Sequence, residues 1–248
     1  MTWLRLVRAE LRKLTTTKIR WGFLAVLLVL SAVTAAAVIW GTDADGSKGF
    51  ISTAEDQRSL TAFGANAMII AGLFGAIAVS REYGHGTVVP TFLAAPRRYR
   101  AVLAQYTAVL VGGALVGLVG AGLTVAGVAA ALPTTDYGSL MSAGAVIQVI
   151  VASTFMGASG AILGAGIGAI VRNMGGAVTG AVLVLLVIPP LAVQLVPEAV
   201  SWVPGALVRV LSGLGGEVEI WMAIIIVAIW GALPAAVGLV LVQRRDVV

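Results

Sequence analysis

The sequence of 248 residues contains no cysteine and a single histidine, His85. Without cysteine, the chain can form no disulfide framework, no thiolate metal site and no cysteine nucleophile. Charged residues are also scarce, at 11% of the chain, whereas soluble globular domains carry about a quarter. The sequence has no G-x-x-x-x-G-K-[ST] loop, so it lacks the usual cradle for the phosphates of ATP.

Apolar residues dominate instead, at 59% of the chain, and the mean hydropathy is +1.02. A helix that crosses a hydrocarbon core of roughly 30 Å needs about 20 apolar residues. Six segments meet that length and predict an all-α polytopic membrane protein with a single transmembrane domain over residues 1–248: about 21–40, 62–79, 101–132, 142–171, 174–196 and 220–242. The first segment exceeds the apolar core of about 7–15 residues that a signal peptide has, so we expect a retained span.

The distribution of charge predicts the orientation of these spans. Thirteen of the 16 basic residues fall in the amino terminus, the segment 81–100, the turn at Arg172 and the tail, while the opposite loops hold eight of the 11 acids. By the positive-inside rule, we expect a multi-pass protein of the inner or plasma membrane, with both termini in the cytoplasm. Because the basic residues flank spans, we interpret the net charge of +5 as a signal of orientation in the membrane, and we expect membrane lipid and no nucleic acid as a partner.

Two segments outside the spans have helical features. Residues 2–18 place apolar side chains on one helical face and arginines on another, which predicts an interfacial amphipathic helix, or else a basic flank that keeps the amino terminus inside. The apolar face consists of Leu4, Val7, Leu11 and Leu14. Residues 197–219 predict one or two short external helices, or an ordered loop, and residues 42–60 an external loop.

Small residues recur at every fourth position in two spans. Gly160, Gly164 and Gly168 form one series, and Gly113, Gly117 and Ala121 form the other. Such spacing allows close helix packing in lipid. The prolines 189–190 should kink or break the fifth span, because each removes a backbone donor.

The fourth span contains a possible serine nucleophile, Ser159. The run 157–160 resembles the G-x-S-G of rhomboid intramembrane proteases, but that mechanism requires a histidine base from another span. His85 lies at the edge of the membrane and is predicted to be far from this serine. We therefore expect Ser159 to be a small packing residue.

The segment between the second and third spans carries the most distinctive pattern. It runs Ser80-Arg81-Glu82-Tyr83-Gly84-His85-Gly86-Thr87, followed by Thr91-Phe92-Leu93 and Pro96-Arg97-Arg98-Tyr99-Arg100. It resembles the corresponding loop of the ATP-binding-cassette export permeases of the type-2 superfamily, which show Glu-Tyr, Gly-Thr and a proline before basic residues. Residues 11–14, Leu-Arg-Lys-Leu, are also similar to that family. Gly84 and Gln105 depart from it, since basic residues are frequent at both places.

The resemblance implies a cytoplasmic coupling helix over residues 86–95 that docks on a separate ATPase subunit. That subunit would bind ATP and Mg, so this chain would have no cofactor and no enzymatic activity of its own. A second permease copy, identical or different, would complete the transporter. The residues implied in coupling are Glu82, Tyr83, His85, Gly86, Thr87, Thr91, Phe92, Pro96, Arg97 and Arg98.

Two of these assignments leave alternatives open. Glu82 would pair with a basic residue such as Arg12 or Arg98, although a solvated surface acid fits the sequence too. The basic residues 97, 98 and 100 could equally contact phospholipid headgroups.

No predicted span contains Asp, Glu, Lys, Arg or His, which disfavours a gradient-driven transporter. The family resemblance implies export, and the absence of fixed charge in the spans favours an amphipathic or apolar cargo, such as a drug, antibiotic, peptide or lipid. The family resemblance implies a substrate path along spans two and five, lined by Phe63, Asn66, Met68, Phe74, Leu191 and Gln194. The alternatives are a non-transporting membrane anchor or sensor subunit for a cytoplasmic partner, and a secondary transporter.

Overall fold

The structure is a computed structural model that describes residues 3–84 and 98–244. Within these ranges all regular secondary structure is helical, with no strand, and six helices are long and apolar enough to span a membrane, which confirms the predicted all-α, polytopic architecture. The α-helices are α1 Trp3–Thr16, α2 Ile19–Trp40, α3 Ala54–Gly64, α4 Ala67–Gly84, α5 Arg98–Ala131, α6 Ala143–Val171, α7 Met174–Val182, α8 Ile188–Leu195, α9 Pro204–Leu211 and α10 Ile220–Arg244. Short 3-10 turns occupy Gly49–Ile51, Leu132–Thr134 and Pro197–Trp202.

Helix α6 lies at the centre of the bundle and packs against α4, α5 and α10. Glycines make these approaches possible, since a Cβ atom at Gly164 would overlap the backbone of α4, and one at Gly117 would overlap the backbone of α6. A Cβ atom at Gly166 would likewise overlap the backbone of α10 at Pro234. The predicted role of the glycine series in helix packing is therefore confirmed.

The segment 42–60, predicted as a loop, is helical from Ala54 onward, so that prediction was wrong in its second half. Thr53 caps α3, and its side chain and that of Asp56 bond reciprocally to backbone N–H groups in a capping box. Asn66 then adopts a positive φ of 43° and separates α3 from α4. This bend allows α3 to continue the second span in a new direction.

The fifth span is interrupted near Pro189 and Pro190, as their missing donors require. One turn of π-helix, Leu183–Val187, joins α7 to α8, and both prolines lie in the first turn of α8. A helix has no internal partner for its first N–H groups, so proline is tolerated there. The π turn absorbs the change of register.

The segment before the sixth span forms two short helices, Pro197–Trp202 and α9, so of the two alternatives left open by the sequence the structure has the helices and not the ordered loop. The indole Nε1 of Trp230 in α10 donates a hydrogen bond to the carbonyl oxygen of Trp202 over 3.0 Å. Gln148 Nε2 in α6 donates to the carbonyl oxygen of Leu211 over 3.1 Å. These bonds attach the segment to two spans.

Candidate functional site

An ion-pair cluster joins α1 to the last turns of α4. Lys13 Nζ lies 2.7 Å from Glu10 Oε1 and 3.1 Å from Glu82 Oε1. Only 7% of Glu10 and 9% of Glu82 is exposed, so both carboxylates are buried, while the Lys13 side chain is 39% exposed. We call Glu10, Lys13 and Glu82 the ionic cluster. It connects residues that are 69 positions apart in sequence.

Local helix geometry positions the α1 side of this cluster. Glu10 and Lys13 are three residues apart, which places them on one face of α1 within ion-pair distance. Leu14, the next residue, packs against the apolar core around Phe74 and Val79. The apolar contact therefore holds α1 in the orientation that turns Glu10 and Lys13 toward α4.

Burial and the second carboxylate determine the protonation of the cluster. Burial, and then the nearby charge of Glu82, raise the pKa of Glu10. Burial alone would lower the pKa of Lys13, but its hydrogen bond to Glu10 and the charge of Glu82 outweigh that effect and raise it. Lys13 is consequently held as an ammonium ion between the two acids.

The same end of α4 also contacts the turn between the fourth and fifth spans. The Arg172 guanidinium carbon lies 5.5 Å from the centre of the Tyr83 ring, within the range of a cation–π interaction. Arg172 ends α6 in the left-handed region, with φ at 60°, and its N–H donates to the carbonyl oxygen of Gly168 over 2.9 Å. Three spans and α1 thus meet around Glu82 and Tyr83.

The structure locates only part of the predicted coupling surface. Glu82 is not a solvated acid, and it pairs with Lys13, whereas the neighbouring Arg12 is exposed. The proposed coupling helix 86–95 lies outside the described residues, as do His85, Gly86, Thr87, Thr91, Phe92, Pro96 and Arg97. Arg98 begins α5, and the description does not extend to its side chain.

Sequence reasoning missed Glu10 and Lys13 as members of this site. One signal was available, because Glu10 is the only acid among the first 40 residues and lies within a basic helix. An acid that is buried against a span needs a cation nearby. Lys13 provides that cation in the structure.

Four of the six residues predicted for the substrate path line one cleft of about 530 Å³. Phe63, Asn66 and Met68 come from the α3–α4 region, and Gln194 comes from α8. Pro189 and Pro190 complete the α8 wall, and α9 closes one side. We call this the Phe63 cleft.

The other two predicted residues lie elsewhere. Phe74 is buried and stacks edge to face on Phe23 of α2, with ring centroids 5.4 Å apart. Leu191 is 48% exposed and does not line the cleft, although its neighbour Pro190 does. Pro190 and Gln194 are four residues apart and share the face of α8 that lines the cleft, whereas Leu191 lies off that face.

The Phe63 cleft has the chemistry of a site for apolar or amphipathic molecules. Its lining contains no charged residue, and its side-chain polar groups are the amides of Asn66 and Gln194. Apolar walls with a few orienting polar groups are typical of small-molecule sites of this size. In the described part of the chain no cluster of three or more metal-ligating side chains occurs.

A scan against protein-family models found no match, and a search of the curated proteins found none.

Proposed function

We propose that this chain is the permease subunit of an ATP-driven exporter of the ATP-binding-cassette type-2 kind. It would move an amphipathic or apolar compound out across the cell membrane while a separate ATPase subunit binds ATP and Mg. The observation that carries the proposal is the ionic cluster, which fixes α1 to α4 directly before the segment 85–97. That segment is the docking surface for the ATPase under this proposal.

The ionic cluster supports transmission of force because its two carboxylates are buried and Lys13 bridges them. Removing one partner of a buried ion pair leaves an uncompensated charge and costs about 3–5 kcal/mol, so the cluster resists separation of α1 from α4. Helix α4 in turn packs backbone to backbone on α6 through Gly164. A displacement of the segment after α4 would therefore move α1, α4 and α6 together.

The Phe63 cleft is the proposed site for cargo. One wall belongs to the α3–α4 region, which the coupling segment would move, and the other belongs to α8, which is separated from α7 by the π turn. Relative motion of these walls would open and close the cleft. Its volume of about 530 Å³ suits a drug-sized molecule.

The first step is to ask whether a reading frame beside this gene encodes a protein with a G-x-x-x-x-G-K-[ST] loop. The test then uses proteoliposomes that contain the chain together with that ATPase subunit. Wild-type protein should show ATP-dependent flux of a fluorescent amphipathic dye, and the dye should stimulate ATP hydrolysis. Glu82→Gln should lower the flux about tenfold or more, because it removes a buried charge that pairs with Lys13. Glu55→Gln is the matched control, since Glu55 is exposed and has no ion-pair partner among the described residues.

Two results would overturn the proposal. Tight binding of the ATPase without flux or stimulated hydrolysis would identify a membrane anchor or sensor. Flux that follows a proton or sodium gradient and needs no ATPase would identify a secondary transporter.

A further inference from the structure

A second cleft of about 320 Å³ lies between α2 and α5, with the end of α1 at one side. Its walls are apolar and are formed by Phe23, Leu24 and Leu27 of α2 and by Leu115, Val116 and Val119 of α5. The Phe74 ring also lines the cleft, and its edge fits against Gly112, where a Cβ atom would lie 2.8 Å from the ring. Leu115 and Val119 are 53% and 38% exposed, so the cleft opens on the surface that faces lipid.

One end of this cleft is cationic. Arg20 and Thr15 line it there, and Leu27 lies seven residues further along α2, about 10 Å away at 1.5 Å per residue. Arg20 stacks over the Trp21 ring at 5.2 Å from the ring centre. Among the described residues no carboxylate lies within ion-pair distance of Arg20.

The surrounding charge has the same sign. The first 20 residues contain six basic residues and one acid, Glu10, which the ionic cluster already engages. Trp21 is 60% exposed beside Arg20, and tryptophan and arginine are both enriched at the boundary between hydrocarbon and water. The cationic end of the cleft therefore lies where a lipid headgroup would be.

We propose that this cleft, the Arg20 cleft, binds one anionic phospholipid. The lipid phosphate would accept hydrogen bonds from the Arg20 guanidinium, and an acyl chain would lie along Leu24, Leu27 and Val119. This inference does not depend on the transport function proposed above.

The shape and charge of the cleft favour this occupant over others. An occupant must be apolar along about 10 Å and negatively charged at one end. Arginine binds phosphate through two parallel hydrogen bonds, which suits a phospholipid headgroup. An apolar helix from a second copy of the chain would fill the walls but would supply no anion for Arg20.

The experiment measures the lipids that remain bound to the full-length chain. The purified protein is placed in nanodiscs of equal parts phosphatidylglycerol and phosphatidylcholine with identical acyl chains, and native mass spectrometry counts the retained lipids. We expect one retained phosphatidylglycerol. It should be preferred over phosphatidylcholine by about fivefold or more, which is the effect of one basic residue on the binding of an anionic headgroup.

Two variants test the two ends of the site, each with a matched control. Arg20→Gln should abolish the preference for phosphatidylglycerol, and Arg5→Gln, which removes an exposed charge of α1 outside the cleft, should keep it. Val119→Phe should displace the acyl chain and lose the bound lipid. Val111→Phe is its control, because Val111 lies on the same helix, is 39% exposed and does not line the cleft.

Three outcomes would overturn the proposal. Equal retention of the two lipids by the wild type would show no selection for charge. Equal losses from Arg20→Gln and Arg5→Gln would show a diffuse attraction to the membrane surface. Unchanged retention in Val119→Phe would place the lipid elsewhere. The two substitutions act on different ends of the cleft, so if one variant failed to fold, the other would still decide the question.

Discussion

Gly164→Ala tests whether the contact between α4 and α6 holds the bundle together. A Cβ atom at this position would lie 1.8 Å from the Gly72 carbonyl oxygen and 2.8 Å from the Ala76 backbone nitrogen. Real Cβ contacts are essentially never under 3.0 Å, so something must move. Both obstructing atoms belong to the backbone of α4, and no side-chain rotation can relieve the overlap. The two helices must separate locally.

The expected loss of folding free energy in Gly164→Ala follows from two opposing effects. Overpacking a tight contact costs typically 1–3 kcal/mol, and a clash with backbone belongs at the upper end of that range or beyond. Alanine has a higher helix propensity than glycine, which returns up to about 1 kcal/mol. The net loss should be about 2–3 kcal/mol, equivalent to a fall in Tm of roughly 4–12 °C for a chain of this size.

Gly122→Ala is the control for this measurement. Gly122 lies within α5, and a Cβ atom there would have no atom within 4 Å. This variant should melt at or slightly above the wild-type temperature, because only helix propensity changes. Thermal unfolding of the purified proteins in one detergent compares the two directly. Equal melting temperatures for Gly164→Ala and Gly122→Ala would refute the argument that backbone contact between α4 and α6 stabilises the bundle.

Three further predictions concern single side chains. Because folding raises the Glu10 pKa above 4.5, this group stabilises the fold below pH 4.5 and loses that contribution as the pH rises through the raised pKa. Glu10→Gln should therefore flatten the dependence of Tm on pH above pH 4.5, and a dependence equal to that of the wild type would contradict this. Gln57→Leu should lower the free energy of unfolding by about 2–4 kcal/mol, as measured by titration with a denaturing detergent. Gln57 is fully buried, and its side chain forms hydrogen bonds with the backbone of Ile51, Gly138 and Leu140. A loss under about 1 kcal/mol would contradict this. Ser159→Ala should lower that energy by about 0.5–1.5 kcal/mol, because the hydroxyl donates to the Val227 carbonyl oxygen, and unchanged thermal stability would argue against the bond.

The six spans were predictable because a membrane-crossing helix must be apolar along its whole length. The first span was expected at 21–40 and is found at Ile19–Trp40, and the last was expected at 220–242 and is found at Ile220–Arg244. Helix α3 was missed because it is not apolar along its whole length. It is amphipathic and carries acids in its first turn, so its start is marked by the capping residues Thr53 and Asp56 rather than by hydropathy.

The ionic cluster illustrates where sequence reasoning stops. The position of Glu82 at the end of α4 followed from span length, but its partner depends on how α1 is rotated about its own axis. Apolar periodicity placed Leu4, Val7, Leu11 and Leu14 on one face of α1, but it gave no indication that Glu10 is the buried residue of this helix. Contacts with α4 and α5 determine that rotation, and they are separated from α1 by more than 50 residues of chain. The pairing of Lys13 with Glu82 could not be read from a local pattern.

The distribution of burial indicates which walls of the Phe63 cleft can move. Along the most apolar part of each span, 67% of residues are buried in the second span and 50% in the fourth, compared with 22% in the fifth. The second and fourth spans also share the backbone contact at Gly164, so they should move as one body. The fifth span is held by fewer buried residues and contains the π turn before α8, where the register of backbone hydrogen bonds already changes. Under the proposed function, cargo access would therefore depend on displacement of α8 relative to a rigid unit of α4 and α6, and the ionic cluster would keep α1 attached to that unit.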